Sequence, residues 1–268
     1  MTDQLAADLS RFTEPAWLSG SWRHHIERID RALRSGPLDV PDDPVLVDAG
    51  ITSADPVATE RIRGRYDLHP PGPRGGPPGP TDYAHWEHLY RLIGLGWQPG
   101  GDVVVEFGGG YGNLARLAHA YASMGPIETG LWVVVDHPVM LAVQRRFLAA
   151  EDVPVAPWVP GYPLPFSSGV VLAPSGPDVL DEIASFRGAL VPDVLVSTFA
   201  LSETDPDAVR HVASRDWLGA SAVLLALDLS KTRVFDGTQA LVDAAVADGF
   251  EWSPTDWPGA VYATKGSC

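Results

Sequence analysis

The residues of this chain best suited to hold a small ligand follow an apolar run that contains one acid, residues 103–107. Glycines then occupy positions 108, 109, 110 and 112, and an apolar helical pattern begins at Leu114. A turn without side chains lets a ligand lie against backbone N–H groups, and a helix N-terminus adds further donors. The segment therefore predicts a buried strand, a tight turn and a helix start, with a ligand seated on the turn.

The spacing of the glycines separates two classes of ligand. The dinucleotide fingerprint requires Gly-x-Gly-x-x-Gly, and its third glycine is replaced here by Asn113. The pattern Glu-x-Gly-x-Gly-x-Gly fits completely and resembles the first motif of class I S-adenosylmethionine (SAM) methyltransferases. The resemblance implies that the turn holds the methionine part of SAM, with contacts from Glu106, Gly108, Gly109, Gly110, Tyr111 and Gly112. A glycine-rich turn of another kind of α/β protein is the alternative.

A second acid, Asp136, ends the apolar run of residues 131–136. It lies roughly 20–25 residues beyond the glycines, where a Rossmann-like unit places a carboxylate that accepts hydrogen bonds from ribose hydroxyls. Because His137 and Pro138 follow, Asp136 could also cap the next helix, and the two roles are compatible. His137 neighbours the ribose acid, so it is predicted to line the adenosine pocket or to act as a base.

From residue 81 onward, strand and helix patterns alternate, which is typical of a doubly wound parallel sheet. Strands are predicted at residues 103–107, 131–136, 169–173, 193–199, 220–228, 250–255 and 259–264. Helices are predicted at residues 81–95, 112–124, 138–150, 177–189, 205–214 and 236–248. The last two strands should form an antiparallel hairpin. The predicted fold class is α/β: a Rossmann-like, doubly wound, mostly parallel seven-stranded sheet with an N-terminal helical extension.

The N-terminal part, residues 1–80, is predicted to be a helical cap or lid on a SAM-binding core, residues 81–268. One or two helices are expected at residues 5–35, where an apolar stripe that starts at Trp17 is assigned to core packing. Residues 70–80 are almost entirely Pro and Gly, so neither a helix nor a central strand can persist there. We expect a linker or a lid loop that orders on binding.

Three segments together resemble a family of bacterial sugar O-methyltransferases. Residues 106–117 carry the Gly-Gly-Gly-Tyr-Gly turn and a Leu-Ala-Arg helix start. Residues 135–148 correspond to an Asp-Leu-Pro turn and its helix, although His137 replaces the usual Leu. Residues 192–203 correspond to a strand, a small polar turn and Leu-Ser-Glu. The resemblance covers about residues 100–215 and implies methylation of a hydroxyl on a sugar or glycosylated natural product.

Methylation of an alcohol calls for a general base, because the hydroxyl loses its proton as it attacks the sulfonium methyl. Glu203 is the first candidate, since it follows the fourth main strand at the edge where ligands bind in open α/β sheets. A role at a helix N-terminus is its alternative. His137 is the second candidate and Tyr83 the third; His85 and His88 share a face of the same helix, with packing or surface placement preferred. The wall near the methyl group is assigned to Thr198, Phe199 and Ala200.

The chain of 268 residues carries a net charge of −15, and residues 81–268 hold 22 acids but only 10 bases. Such a field repels nucleic acids and anionic membranes, so a neutral or cationic small-molecule acceptor is expected. No signal peptide or membrane-length apolar run is evident and Cys268 is the single cysteine, which favours the cytoplasm. Asp205 and Asp207 could join Glu203 as metal ligands, but Asp-Pro-Asp is more often a helix cap, so no metal is predicted.

Several alternatives stay open at this point. Within enzymes, the acceptor could be a carboxyl group or an amine of a natural product or peptide, because the fold does not distinguish acceptors. In a different class, the chain would be a SAM-binding regulatory or scaffold protein without turnover. An NAD-dependent oxidoreductase is a third interpretation, which Asn113 disfavours. The acceptor, the methylated atom and the oligomeric state are not fixed by the sequence, and a homodimer is one option.

Overall fold

The computed structural model describes residues 17–52, 55–124, 130–159, 168–185, 192–230 and 235–267. Its strands are β1 (Val104–Phe107), β2 (Leu131–Asp136), β3 (Val155–Pro157), β4 (Gly169–Pro174), β5 (Val194–Thr198), β6 (Ala222–Asp228), β7 (Glu251–Pro254) and β8 (Ala260–Gly266). Its α-helices are α1 (Gly20–Ser35), α2 (Pro44–Asp48), α3 (Pro56–Arg65), α4 (Pro80–Gly94), α5 (Asn113–Ser123), α6 (Pro138–Ala150), α7 (Pro177–Ser185), α8 (Pro206–Ser214) and α9 (Asp236–Ala247). Short 3-10 turns lie at Pro73–Gly75, Leu201–Glu203 and Trp217–Gly219.

The strands of the described ranges form one sheet in the order β3-β4-β2-β1-β5-β6-β8-β7. Its pairings are parallel, except those of β8, which runs antiparallel to β6 and β7. The doubly wound α/β fold and the closing hairpin are therefore confirmed. The predicted number of seven strands is wrong, because β3 adds an edge strand beside β4 and makes eight. With three residues, β3 is too short to show an apolar period.

The strands that the sequence marks with continuous apolar runs are buried on both faces. Every residue of β1 and β4 is buried, and so is every residue of β2 and β5 except the last. Alternate residues enter two cores: Val104 packs with α4, α5 and α6 on one face, and Val105 packs with α7, α8 and α9 on the other. The two helical layers leave the carboxyl ends of the parallel strands accessible at one edge.

The helix caps decide one question that the sequence left open. The N-cap of α6 is His137, whose Nδ1 accepts a hydrogen bond from the backbone N–H of Val139 at 3.2 Å. The cap interpretation of Asp136 is therefore wrong, and its carboxylate serves elsewhere. The N-cap of α8 is Asp205, which accepts a hydrogen bond from the backbone N–H of Asp207 at 2.8 Å, so the predicted Asp-Pro-Asp cap is confirmed.

The described N-terminal helices pack on the core. Helix α1 packs against α2 and α6, and α3 packs against α4. The Pro/Gly-rich segment, residues 70–80, is also tied to the core: the guanidinium of Arg116 donates to the carbonyl of Pro71 at 3.0 Å, and the backbone N–H of Arg74 donates to Glu151 at 2.8 Å. Movement of this segment as a lid stays a prediction.

Parts of two predicted helices, residues 5–16 and 186–189, lie outside the described residues. The described part of the first one, α1, begins at Gly20, and that of the other, α7, ends at Ser185. None of the described helices combines the length and apolar character needed to cross a membrane.

Candidate functional site

A cleft with a volume of about 430 Å³ opens at the carboxyl edge of the sheet. Its floor consists of the strand ends and the turns that follow them, with Gly108, Gly109, Gly110, Asp136, His137, Ser175, Thr198, Phe199, Ala200, Glu203 and Asp228. Its walls come from parts of the chain far from these turns, with Trp17, Trp22, Ile26, His85, His88 and Trp257. The edge at which the sequence predicts a ligand is thus a formed cleft.

The turn after β1 can be built only from glycine at two positions. Gly108 has φ +74°, and a Cβ atom on it would lie 2.0 Å from Cβ of Ala200. A Cβ on Gly109 would lie 2.6 Å from Cγ1 of Val134. Gly110 also has a positive φ, +55°, but a Cβ atom on it would meet no atom closer than 3.6 Å, an ordinary contact distance. The backbone of this turn therefore forms the bare surface that the sequence predicts.

Asp136 stands half-buried at the end of β2, with both carboxylate oxygens hydrogen-bonded. Oδ1 accepts from the backbone N–H of His137 and Oδ2 from the side-chain amide of Gln144, each at 2.7 Å. Burial raises the pKa of Asp136 to about 7, while hydrogen bonds from His137, Gln144 and Gly109 act in the opposite direction. Because each oxygen of an ionised carboxylate can accept about two hydrogen bonds, Asp136 retains capacity for a vicinal diol.

Glu106 lies beneath the turn rather than in the cleft lining. It is 1% exposed, and its Oε2 accepts a hydrogen bond from the indole N–H of Trp132 at 2.7 Å. Burial raises its pKa to about 7, and the nearby carboxylate of Asp136 contributes in the same direction. Glu106 supports the turn from inside the fold. It does not line the described cleft, so it is not placed to contact a ligand.

Two other residues of the predicted cofactor motif, Tyr111 and Gly112, pack against the core and not against the cleft. Tyr111 is 1% exposed, and its ring packs edge-on against Phe147 with the ring centroids 4.8 Å apart. Gly112 has φ +95°, and a Cβ atom on it would meet Leu148 at 3.3 Å. Neither residue belongs to the described lining of the cleft. They position the start of α5 and do not cover a ligand.

The turn after β5 places all three of its predicted residues, Thr198, Phe199 and Ala200, in the cleft. Phe199 has φ +71°, a strained conformation for a residue with a large side chain. Hydrogen bonds hold it there: its N–H donates to the carbonyl of Ala226 at 2.7 Å, and its carbonyl accepts from the hydroxyl of Ser202 at 2.6 Å. A strained backbone held this way is a common feature of functional sites.

Of the three predicted catalytic residues, the structure brings Glu203 and His137 to the cleft. Oε2 of Glu203 accepts a hydrogen bond from the indole N–H of Trp22 in α1 at 2.9 Å. Nδ1 of His137 caps α6 by accepting the hydrogen bond from the backbone N–H of Val139. Tyr83 is not part of the described lining. Its hydroxyl accepts a hydrogen bond from Arg63 at 3.3 Å, away from the predicted reaction site.

His85 and His88, for which packing or surface placement was preferred, both line the cleft. Nδ1 of His85 lies 3.0 Å from the amide nitrogen of Asn113, and Nδ1 of His88 lies 2.8 Å from the hydroxyl of Tyr262. Burial lowers the pKa of His85 to about 4 and that of His88 well below its usual value, so both rings are neutral at pH 7. The sequence places the two histidines three residues apart, on one face of a helix. It does not show whether that face meets the cleft.

The cleft is acidic. Four carboxylates line it, Asp55, Asp136, Glu203 and Asp228, and neither Lys nor Arg occurs in the lining that the structure describes. The cleft therefore favours a ligand that carries a positive charge. Across the described ranges, no group of three or more His, Cys, Asp or Glu side chains is placed to hold a metal ion.

Aromatic residues of the walls are the functional candidates that sequence reasoning missed. The predicted core packing of Trp17 and Trp22 is confirmed, and both also line the cleft. Trp257 lies in the β7–β8 hairpin, and its ring centroid is 5.3 Å from that of His88. Their helical or turn patterns gave no indication of a cleft, because contact with it depends on how distant elements pack.

Searches of protein-family models and of curated proteins find no match to the chain. Solved structures with a similar fold include a precorrin-6y C5,15-methyltransferase from Geobacter metallireducens GS-15, with 15% identity and a TM-score of 0.42, covering 68% of this chain and 86% of that chain. They also include a magnesium protoporphyrin IX methyltransferase from Synechocystis PCC 6803 with bound SAH, with 13% identity, a TM-score of 0.40 and coverages of 77% and 91%. The methyltransferase domain of bacterial CtHen1 has 12% identity, a TM-score of 0.45 and coverages of 68% and 96%. Similarity at this level concerns the fold alone.

Proposed function

We propose that the chain is a SAM-dependent methyltransferase. The observation that carries this proposal is the pairing, in one acidic cleft, of a side-chain-free turn after β1 with Asp136 after β2. The two features suit different parts of one ligand, because the carboxylate suits a ribose diol and the bare turn suits a chain laid against backbone. A sulfonium cation is also favoured by the four carboxylates of the lining.

The residues present fit SAM. Asp136 would hold the ribose, with His137 and Met140 beside it, and the turn Gly108–Gly109–Gly110 would hold the methionine part. A Cβ atom on Gly108 or Gly109 would collide with Ala200 or Val134, so the turn needs glycine to pack against its neighbours, and its backbone lines the cleft. When bound, SAM supplies an electrophilic methyl group with a neutral thioether as its leaving group.

We infer that the acceptor is a hydroxyl of a small molecule, such as a sugar or a glycosylated natural product. Trp22, Phe199 and Trp257 offer flat apolar faces, while the carboxylates of Glu203 and Asp228 offer acceptors for hydroxyl hydrogens. Glu203 would be the base that takes the proton of the attacking hydroxyl, with Trp22 holding the carboxylate in place. Proximity of hydroxyl and methyl supplies much of the remaining rate.

N-methylation is the second candidate, and the acidity of the cleft is the observation that favours it. A protonated amine would be attracted by the same carboxylates, whereas a carboxylate acceptor would be repelled by them. A SAM-binding protein without turnover would share the turn Gly108–Gly109–Gly110 and Asp136. An acceptor screen therefore has to include sugars and amines separately.

The test of the cofactor is titration calorimetry of SAM and S-adenosylhomocysteine with the parent, Asp136→Ala and Asp228→Ala. Asp136→Ala removes two charge-assisted hydrogen bonds to ribose, so we expect affinity to fall roughly a hundredfold. Asp228→Ala removes a cleft carboxylate of the same type without touching the ribose, and SAM affinity should change by less than about fivefold. Absence of SAM binding by the parent would contradict the proposal.

The test of the reaction is methyl transfer from labelled SAM to panels of sugars and amines. Turnover of a sugar that is lost in Glu203→Gln, with SAM affinity retained, supports O-methylation with Glu203 as base. Turnover of amines alone would contradict O-methylation and support N-methylation. SAM binding without turnover on either panel would favour the non-catalytic class.

A further inference from the structure

A buried ion pair stands behind the wall of the cleft that carries His85. Asp82 and Arg116 have side chains that are each 4% exposed, and Nη2 of Arg116 donates to Oδ1 of Asp82 at 2.7 Å. Arg116 also donates through Nε to Oδ1 of Asn113 at 2.8 Å. Asn113 connects this pair to the cleft, because its amide nitrogen lies 3.0 Å from Nδ1 of His85.

The direction of these hydrogen bonds fixes the proton on His85. A guanidinium can only donate, so the atom of Asn113 facing Nε of Arg116 is its carbonyl oxygen. The other atom is the amide nitrogen, which donates one hydrogen to Asp82 at 3.1 Å and the other to His85. Nδ1 of His85 is therefore an acceptor, and the neutral ring carries its hydrogen on Nε2.

His85 consequently presents an N–H donor to the cleft, and it is not a base there. Burial and the positive charge of Arg116 lower its pKa to about 4, so the ring stays neutral through the physiological range. Behind this donor lies the guanidinium of Arg116, whose charge is paired with Asp82. The described lining holds four carboxylates and no Lys or Arg, so the neutral N–H of His85 is a group suited to donate to an anionic oxygen.

The position of His85 relative to the turn indicates which anionic oxygen it meets. Its ring centroid lies 6.3 Å from that of Tyr111, the residue after Gly110, whereas Asp136 ends the neighbouring strand β2. A ligand whose ribose is held by Asp136 and whose chain crosses the turn therefore ends near His85. In SAM, that end bears a carboxylate.

We propose that His85, with its donor fixed by Arg116 through Asn113, binds the carboxylate of the methionine part of SAM. This inference rests on the proposed function and adds to it a residue that selects for an amino-acid end. His88 is a matched comparison on the same helix, because it also lines the cleft but has Phe199, Trp257 and Tyr262 as its neighbours.

The binding experiment compares SAM with decarboxylated SAM, which keeps the sulfonium and the amine and lacks only the carboxylate. A charge-assisted hydrogen bond should make the parent prefer SAM by roughly tenfold to a hundredfold. His85→Phe should bring the two affinities to within about threefold of each other, whereas His85→Gln, whose amide can donate near the place of Nε2, should retain most of the preference. His88→Phe should keep the preference of the parent. Using the ratio cancels any loss of folded protein, which weakens both ligands equally.

The outcomes separate this inference from the proposed function. An unchanged preference in His85→Phe, with both ligands bound, overturns the role of His85 and leaves SAM binding intact. Failure of the parent to bind SAM overturns both. A preference lost equally in His88→Phe also contradicts the assignment, because the effect would then not be specific to the donor fixed by Arg116.

The proton position has its own measurement. Two-dimensional ¹H–¹⁵N NMR of protein labelled at histidine nitrogen should show His85 with a protonated Nε2 and an unprotonated Nδ1, assigned by the signal lost in His85→Gln. In Asn113→Asp, the new carboxylate can only accept, so the hydrogen should move to Nδ1. A protonated Nδ1 in the parent would overturn the inference.

Discussion

The cleft has two halves that are built in different ways. The cofactor half consists of the turn after β1 and of Asp136 with its partner Gln144, all within a short stretch of sequence. The acceptor half gathers Trp22 from α1, Glu203 after β5 and Trp257 from the last hairpin. One half is mainly backbone shaped by glycine, and the other is mainly side chains brought from both ends of the described chain.

The difference extends to how each half is held. In the cofactor half, bonds are local: Gln144 is eight residues from Asp136. In the acceptor half, the bond between Trp22 and Glu203 spans 181 residues. The backbone floor has no room for an added Cβ atom at Gly108 or Gly109, whereas a wall of side chains can be altered one residue at a time. Cofactor binding should therefore be sensitive to steric changes in the turn, and acceptor binding to the chemistry of individual side chains.

The largest effect is expected for Gly108→Ala in the cofactor half. The new Cβ would lie 2.0 Å from Cβ of Ala200, and the positive φ disfavours any side chain. Overpacking and the left-handed conformation together should lower the free energy of unfolding by about 2–5 kcal/mol and abolish SAM binding. Urea denaturation and calorimetry measure the two effects.

Two controls isolate the clash from the backbone strain. Gly110→Ala has the same sign of φ but a nearest contact of 3.6 Å, so it should cost only about 1–2 kcal/mol. The double variant Gly108→Ala/Ala200→Gly removes the colliding atom and should recover most of the difference. Equal costs for Gly108→Ala and Gly110→Ala would show that sterics do not shape this turn.

The same contrast explains what could be predicted from the sequence. The fold, the turn and Asp136 are encoded in contiguous patterns: apolar runs buried on both faces, a glycine spacing and an acid at a strand end. Glu106 and Tyr111 belong to that motif as well, but both side chains are buried. Because side chains alternate between the two faces of a strand, Glu106 lies on a covered face of the sheet, and Tyr111 packs against Phe147.

The acceptor half could not be predicted in the same way. An apolar stripe in α1 indicates which face is covered, but not that Trp22 meets Glu203 across the cleft. The same limit applies to His85 near the cofactor turn, because its direction is set by Asn113 and Arg116, two residues of a different helix. The sequence marks Asn113 only as the position where the dinucleotide fingerprint has its third glycine. Its role as a hydrogen-bond link depends on the packing of α4 against α5.

A smaller effect is expected from the titration of Glu106, the acid beneath the cofactor half. Its folded pKa of about 7 lies above the ordinary value of 4.5, so the folded state binds its proton more tightly than the unfolded state does. The free energy of unfolding should therefore fall as pH rises from about 4.5 to about 7, and its contribution should be constant above that range. At 1.36 kcal/mol per pKa unit, the decline amounts to at most about 3 kcal/mol.

Glu106→Gln removes this titration while keeping an oxygen for the indole N–H of Trp132. Relative to the parent, the variant should gain stability progressively as pH rises from 4.5 to 7. Asp136, whose pKa is raised in the same direction, still titrates in the variant, so part of the pH dependence should remain. Urea denaturation at several pH values checks this, and parallel curves for parent and variant would rule out a raised pKa for Glu106.

The smallest effect is expected in the acceptor half, from the bond between Trp22 and Glu203. A double-mutant cycle with Trp22→Phe and Glu203→Gln should give a coupling of about 1 kcal/mol, because the bond to a carboxylate is only partly buried. Trp17, which lines the same cleft and whose ring contacts His211, provides the control cycle with Glu203→Gln and should couple more weakly. If the two cycles give equal coupling, α1 is held over the cleft by apolar packing alone.

If only the Trp22 cycle couples, the N-terminal helix and the candidate base form one unit. Substitutions in α1 should then change acceptor turnover while SAM affinity, set in the other half, stays the same.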